Sequence, residues 1–145
     1  MITARLAVTG AFARGIPNYR SKPQRTAHGD SLTIYHSTPH GLVDPMRRPV
    51  EPEAYVDIGA VLAQKRDALA CHHSQKDWLD LTQGPDSYLH ALERDALTLG
   101  ARSGCFHHAE AWTRHLHLGF GAEADNPLQD ALQQRYSLNR RFLLD

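Results

Sequence analysis

The periodicities of this sequence predict one domain that mixes helices with extended segments. Three observations support it. Ile58, Val61, Leu62, Lys65, Leu69 and His72 recur at the spacing of one helix face. Ser31-Leu32-Thr33-Ile34-Tyr35-His36 alternates and is rich in β-branched and aromatic residues, as a strand requires. The chain has 145 residues, 41% apolar and 22% charged, which suits one packed domain and argues against disorder.

Taken in order, residues 2–14 read as a helix with a small-residue face (Leu6, Ala7, Gly10, Ala11, Ala13), stopped by Gly15 and Pro17. It starts at the first residue with no capping Ser, Asp or Asn before it, a start open to a natural domain and to a truncated one alike. Residues 18–30 are polar and contain Pro23 and Gly29, hence a loop; the strand at 31–36 follows. Residues 37–52 hold Pro39, Pro45, Pro49 and Pro52, a long connection of the kind that often carries function. Tyr55-Val56-Asp57-Ile58 leads into the helix of the apolar stripe, with Asp57 placed to cap it. A second helix runs from Asp86 or Ser87 to Leu99, presents Tyr88, Leu89, Leu92, Ala96 and Leu99, and stops at Gly100. Residues 104–121 are dense in His and aromatic residues. A last helix starts near Pro127, a favoured first-turn position.

Charge excludes some partners. Sixteen basic residues balance 16 acidic ones, which gives no electrostatic case for nucleic acid or an anionic membrane. No apolar stretch approaches the roughly 20 residues of a membrane span, and the N-terminus lacks a signal-peptide core, so a cytoplasmic protein is expected. Cys71 and Cys105 are expected as reduced thiols, and no CxxC pair exists for a thiolate zinc site. Ten histidines stand out. His72-His73, His107-His108-Ala109-Glu110 and His115-Leu116-His117 are the groupings that invite a metal, but none has a full ligand set. Adjacent helical histidines also point roughly 100° apart.

The segment from Tyr55-Val56-Asp57-Ile58 through Lys65-Arg66-Asp67-Ala68-Leu69-Ala70-Cys71 to His72-His73-Ser74-Gln75 is more specific. It resembles the C-terminal signature of the LmbE/PIG-L zinc-dependent N-deacetylases: V-D-I, a helix with Lys and Ala-Leu, then H-x-S-Q. Gly15-Ile16-Pro17-Asn18-Tyr19 and the strand at 32–36 fit upstream. Lys76-Asp77-Trp78-Leu79-Asp80, Ser103-Gly104 and Ala109-Glu110-Ala111 fit downstream, so the resemblance covers roughly residues 1–125. It implies the C-terminal part of an α/β, Rossmann-like fold with a mostly parallel sheet, in one truncated domain over 1–145. It also implies a hydrolase whose zinc activates water against an N-acyl bond, often on an N-acetylglucosamine-like sugar. The family's H-P-D-D and H-x-x-H motifs, which carry the zinc ligands and general base, do not occur in residues 1–145. The expectation is therefore a fragment that begins after the last zinc ligand, binds no zinc alone and is inactive unless a complementing chain or a homo-oligomer completes it. The alternative is a non-enzymatic His-rich module that binds a metal or a partner.

No catalytic or metal-ligating residue is assigned. The substrate-pocket candidates are His36 and His40, which flank a strand end where ligands of α/β sheets gather. His72 sits on the inward stripe and faces either core or pocket. Gln75 contacts nearby backbone or substrate. Arg47 meets an anionic part of a substrate or forms, with Arg48, a solvated face. Glu110 and Trp112 are read as anchors of the C-terminal segment.

Overall fold

The computed structural model describes residues 2–143, which form two units. The smaller comprises residues up to 35 together with 114–127; the larger comprises 36–113 and the residues from 128 onward.

The smaller unit opens with helix α1 (Ile2–Ala13), close to the predicted span. Beyond it, Gly15 and Ile16 donate to the carbonyls of Phe12 and Ala13 (3.2 and 3.1 Å), which closes the helix as the Gly and Pro signals require. Phe12 meets Phe120 edge to face at 5.8 Å, and His115 does the same at 5.5 Å. Gly119 lies at φ 83°, and a Cβ there would come within 2.6 Å of the Phe12 ring, so both backbone sign and space call for glycine. The Ser31 hydroxyl donates to Asp125 Oδ2 (2.7 Å); together with the Ala122 N–H it holds that carboxyl below the ordinary carboxylate range.

The larger unit is built on a four-stranded sheet. Its strands are β1 (Tyr35–Ser37), β2 (Ala54–Asp57), β3 (Ala109–Arg114) and β4 (Tyr136–Leu138), in the order β1-β3-β2-β4. The expected mostly parallel, Rossmann-like sheet is corrected here. β2 pairs antiparallel with β3 (Tyr55 opposite Ala111) and antiparallel with β4 (Val56 opposite Tyr136). On the other side of β3, Thr38 donates to Ala111 and His115 to Ile34, so one strand advances as its neighbour retreats.

The connection explains the correction. A parallel pair needs one crossover that returns the chain to the strand's starting end. Between β2 and β3 the chain instead makes α2 (Leu62–Ala70), α3 (His73–Gln83) and α4 (Ser87–Ser103). That excursion ends where it began: Asp57, the last residue of β2, faces Ala109, the first of β3, and Ile58 N–H donates to the His108 carbonyl (3.1 Å). The strand sequences agree. Ala109, Glu110, Ala111 and Trp112 alternate between buried and half-buried, the pattern of a sheet with unlike faces, where buried parallel strands carry continuous apolar runs.

Alternation sorts the core into two clusters. Tyr55, Ala109 and Ala111 join Leu42, Leu99 and Phe106; Ala54, Val56 and Tyr136 join Ile58, Ala96 and partly buried Trp112, Leu128 and Leu138. Leu128 belongs to α5 (Pro127–Leu132), which begins at the predicted proline. Asn139, the buried polar residue of this core, donates from Nδ2 to the Pro52 carbonyl (2.9 Å) and from its backbone N–H to the Glu53 carbonyl (2.8 Å). It thereby ties the C-terminal segment to the approach of β2. Burial there raises the Tyr55 phenol above its usual range.

Two helix boundaries differ from those expected. The stripe from Ile58 to His72 is not one helix: Asp57 Oδ1 accepts the Gly59 N–H (2.9 Å), a 3-10 turn covers Gly59–Val61, and α2 ends at Ala70. α4 passes through Gly100 and ends at Ser103, with Gly104 beyond it at φ 71°. Gly100 is there for proximity: a Cβ would lie 2.2 Å from the His107 carbonyl oxygen. Gly→Ala in a helix ordinarily gains about 0.5–1 kcal/mol. Here the sign reverses, and Gly100→Ala is expected to destabilise by about 1–3 kcal/mol in urea unfolding. A variant as stable as the parent would show that the backbone before β3 does not press on α4.

Candidate functional site

The α2–α3–α4 excursion leaves an open cavity of about 510 Å³ in the larger unit, within the roughly 300–1,000 Å³ range of small-molecule sites. Each element supplies part of it. Thr38 and His40 come from the connection after β1, Lys65 and Leu69 from α2, and His72 and Gln75 from the α2–α3 junction. Tyr88, Leu92 and Asp95 come from α4, and Glu110 and Trp112 from β3. Leu42, Leu79 and Leu99 make much of the remaining wall apolar.

Its polar groups are positioned by identifiable contacts. The Lys65 ammonium is in direct contact with Glu110 Oε1, although 45 positions separate them; their side chains are 37% and 27% exposed. Such a partly solvated pair contributes about 1 kcal/mol or less to stability, so its interest is positional: a cation and an anion side by side on the wall. Gly41, at φ 73°, turns its N–H onto Asp95 Oδ2 (3.0 Å), and His40 Nδ1 lies 3.9 Å from the same oxygen. α2 is joined to α4 by Arg66 Nε to Glu93 (2.9 Å). At the other end, Lys76 donates to Asp80 (2.6 Å) and Asp86 (2.8 Å), and Asp80 also accepts the Asp86 N–H (2.8 Å). These bonds latch the tight α3–α4 turn. They hold the Lys76 ammonium protonated beyond its ordinary range and the Asp80 carboxyl below its own.

Of the five pocket candidates, His40, His72 and Gln75 line this cavity; His36, in β1, and Arg47 do not. His72 is exposed and sits at the start of α3, where α2 has already ended, rather than on a continuing helical stripe. Arg47 is exposed at φ 64° in a turn organised by Asp44, whose carboxylate accepts the Met46 and Arg48 N–H groups (2.8 and 2.9 Å). The Arg48 backbone bond is the main cause of Asp44's lowered pKa. Glu110 and Trp112, expected as anchors, also face the cavity, and Trp112 packs on the core as well. Asp95 and Tyr88 were not anticipated as site residues. The signal for Asp95 is its spacing: it falls three residues after Leu92 and seven after Tyr88, a carboxylate within an otherwise apolar helix face.

The donor set does not fit a zinc site. Among the described residues no three His, Cys, Asp or Glu side chains converge to hold a metal ion. His107 and His108 bring their Nδ1 atoms to 2.9 Å, a two-nitrogen arrangement only. Cys71 and Cys105 are exposed free thiols. No described helix is long and apolar enough to cross a membrane. What the cavity offers is a mixed surface: aromatic and aliphatic lining residues, imidazole and amide groups that donate or accept, and one adjacent cation–anion pair.

Two outcomes follow from this geometry. The Tyr88 hydroxyl is buried with no hydrogen-bond partner among the described residues, a state that costs about 1–3 kcal/mol. Tyr88→Phe should therefore unfold at equal or higher temperature than the parent; a drop of several degrees would reveal a partner. Asp80 has its carboxyl pKa lowered on folding, so its contribution is fully present above the unfolded carboxylate value, about 3.9, and is lost as pH falls through the lowered folded value. The Asp80 contribution should thus fade below about pH 4, and Asp80→Asn should flatten that part of the stability–pH curve. Compared with protein-family models, curated proteins and solved structures, the chain gives no significant match.

Proposed function

We propose that the cavity of the larger unit is the substrate side of an LmbE/PIG-L-type N-acyl deacetylase and takes an N-acylated sugar or a related small molecule. One observation carries the reading. Lys65, His72, Gln75 and Glu110 come from the separate stretches that resemble that family, and they line one cavity, with Lys65 touching Glu110. Stretches that were related only by their order in the sequence thus share a chemical surface. The antiparallel sheet lends no support, so the reading rests on the cavity.

This chain's residues would bind and orient. Trp112 offers a face for a sugar ring, and Leu69, Leu79 and Leu92 offer apolar surface for an acyl group. Glu110 accepts from hydroxyl or amide N–H groups, Lys65 donates to oxygens, and His40, His72 and Gln75 do either. Zinc would supply the activated water, but no ligand set for it exists among the described residues, and the family's ligand motifs do not occur in residues 1–145. Hydrolysis then depends on groups outside this sequence. A second reading, a His-rich metal-binding module, has the paired His107 and His108 nitrogens in its favour. Stoichiometric zinc on tag-free protein, lost with His107→Ala, would select it.

Isotope-labelled protein titrated with N-acetylglucosamine and with glucosamine tests the first reading. N-acetylglucosamine should shift resonances of the cavity residues with Kd on the order of 1 mM, tighter than glucosamine. Lys65→Met and Glu110→Gln should weaken it several-fold. Equal response to acylated and free amine, or shifts away from the cavity, would refute the assignment. The chain alone is expected to release no acetate; robust release abolished by a chelator would overturn the placement of the zinc ligands outside it.

A further inference from the structure

We propose that the smaller unit contains a binding site for a phosphate ester, in the cavity beside the end of α1. The first 29 residues include Arg5, Arg14, Arg20, Lys22 and Arg25 and neither Asp nor Glu, a local excess hidden by the neutral total. Part of this charge gathers around one cavity of about 600 Å³, where Arg14, Arg25 and His28 line the wall together with Tyr19, Gln24 and Thr26. No carboxylate lines it. A concave surface of one sign concentrates the opposite charge more strongly than the same cations spread over a convex face.

The donors are not equally committed. Arg14 spends one Nη2 hydrogen on the Asp30 carbonyl (2.7 Å), which orients the guanidinium and leaves its remaining N–H groups. Arg25, an exposed residue, makes no hydrogen bond or ion pair among the described residues and lines this cavity. Ser21 is excluded as a donor because its hydroxyl already donates to the Pro23 carbonyl (2.8 Å). Asp30, which does not line the cavity, lies 3.6 Å from His28 Nδ1 with its side chain 86% exposed to water. The end of α1 would repel an anion through unpaired carbonyls, but those of Gly10, Phe12, Ala13 and Arg14 accept the N–H groups of Arg14, Gly15, Ile16 and His28.

The chemistry selects phosphate. A phosphomonoester carries close to two charges and three acceptor oxygens, which two planar guanidinium forks can engage bidentately. The cavity is far larger than inorganic phosphate needs, and Gly10, Ala13, Ile16 and Ala27 give it neutral walls for the esterified group.

The test uses the whole chain at physiological ionic strength, titrated by NMR with inorganic phosphate, glucose 6-phosphate and glucose. Glucose 6-phosphate should shift Arg14, Tyr19, Gln24, Arg25 and Thr26 and bind about tenfold more tightly than glucose. Arg25→Gln should cost about tenfold in affinity, and Arg25→Lys should recover part of it. Arg135→Gln, which removes the same charge elsewhere, should have no effect. Unchanged circular dichroism would show that these variants of exposed residues remain folded. Binding to phosphatidic acid vesicles that is lost with Arg25→Gln, without response to the soluble ester, would support the same chemistry and assign the phosphate to a lipid headgroup. Equal losses from Arg25→Gln and Arg135→Gln, or no preference for glucose 6-phosphate over glucose, would overturn the proposal.

Discussion

Strand β2 is short, only Ala54–Asp57, yet both its edges are taken, by β3 on one side and β4 on the other. Ala54, Tyr55 and Val56 are buried, and their alternation sends Tyr55 into one apolar cluster and its two neighbours into the other. Much of the larger unit hangs from this arrangement. Pro52 and Glu53 carbonyls at its start hold Asn139, and the amide after its end holds the turn before β3. A strand so placed has no free backbone edge and little tolerance for a shift in register, because a one-residue slip would exchange the two clusters.

The cavity follows from the same constraint. Since β2 and β3 meet at Asp57 and Ala109, the intervening chain must leave and return at one end of the sheet, and it does so through three helices. α4 rests closely enough on the backbone before β3 that only glycine fits at position 100. α2 and α3 do not fill the remaining space, and Lys65 reaches Glu110 across it. The ion pair therefore marks where helix and strand approach without interdigitating. In a well-filled core that position would be apolar, because exchanging hydration for a partly exposed pair returns little stability.

Much of the element content was legible in the sequence. α1, the helix that begins at Ser87 and the helix that begins at Pro127 all carry local punctuation: Gly and Pro stops, a turn before a polar start, proline in a first turn. Less legible were features decided at a distance. Gly100 reads as a stop, and only the His107 backbone shows why a glycine stands inside a continuing helix. α3 is as amphipathic as α4, yet Trp78 and Leu81 on it are largely exposed, so its periodicity does not mark a core face. β4 has three residues and exists because β2 offers an open edge. Tyr88 and Leu92 appeared as core residues, and their helix stripe was correctly read; that the stripe faces a cavity depends on how α2 and α3 are held.

Sheet direction was the expectation that failed, and it changes why particular residues sit in the candidate site. In a parallel sheet all strand C-termini share one end, and ligands collect beyond them. That rule favoured His36 and His40 together. An antiparallel sheet has no such common end, so the rule loses its force, and the two histidines part company. His36 remains within β1 and outside the cavity lining. His40 lines the cavity for a local reason: the following glycine adopts positive φ, its N–H bonds Asp95, and the turn is thereby fixed to the face of α4. The site is therefore organised by helix faces and by the turns pinned to them, with β3 contributing through its alternating side chains. Residues such as Asp95, which point from a helix into that space, take the positions that strand ends would hold in a parallel sheet.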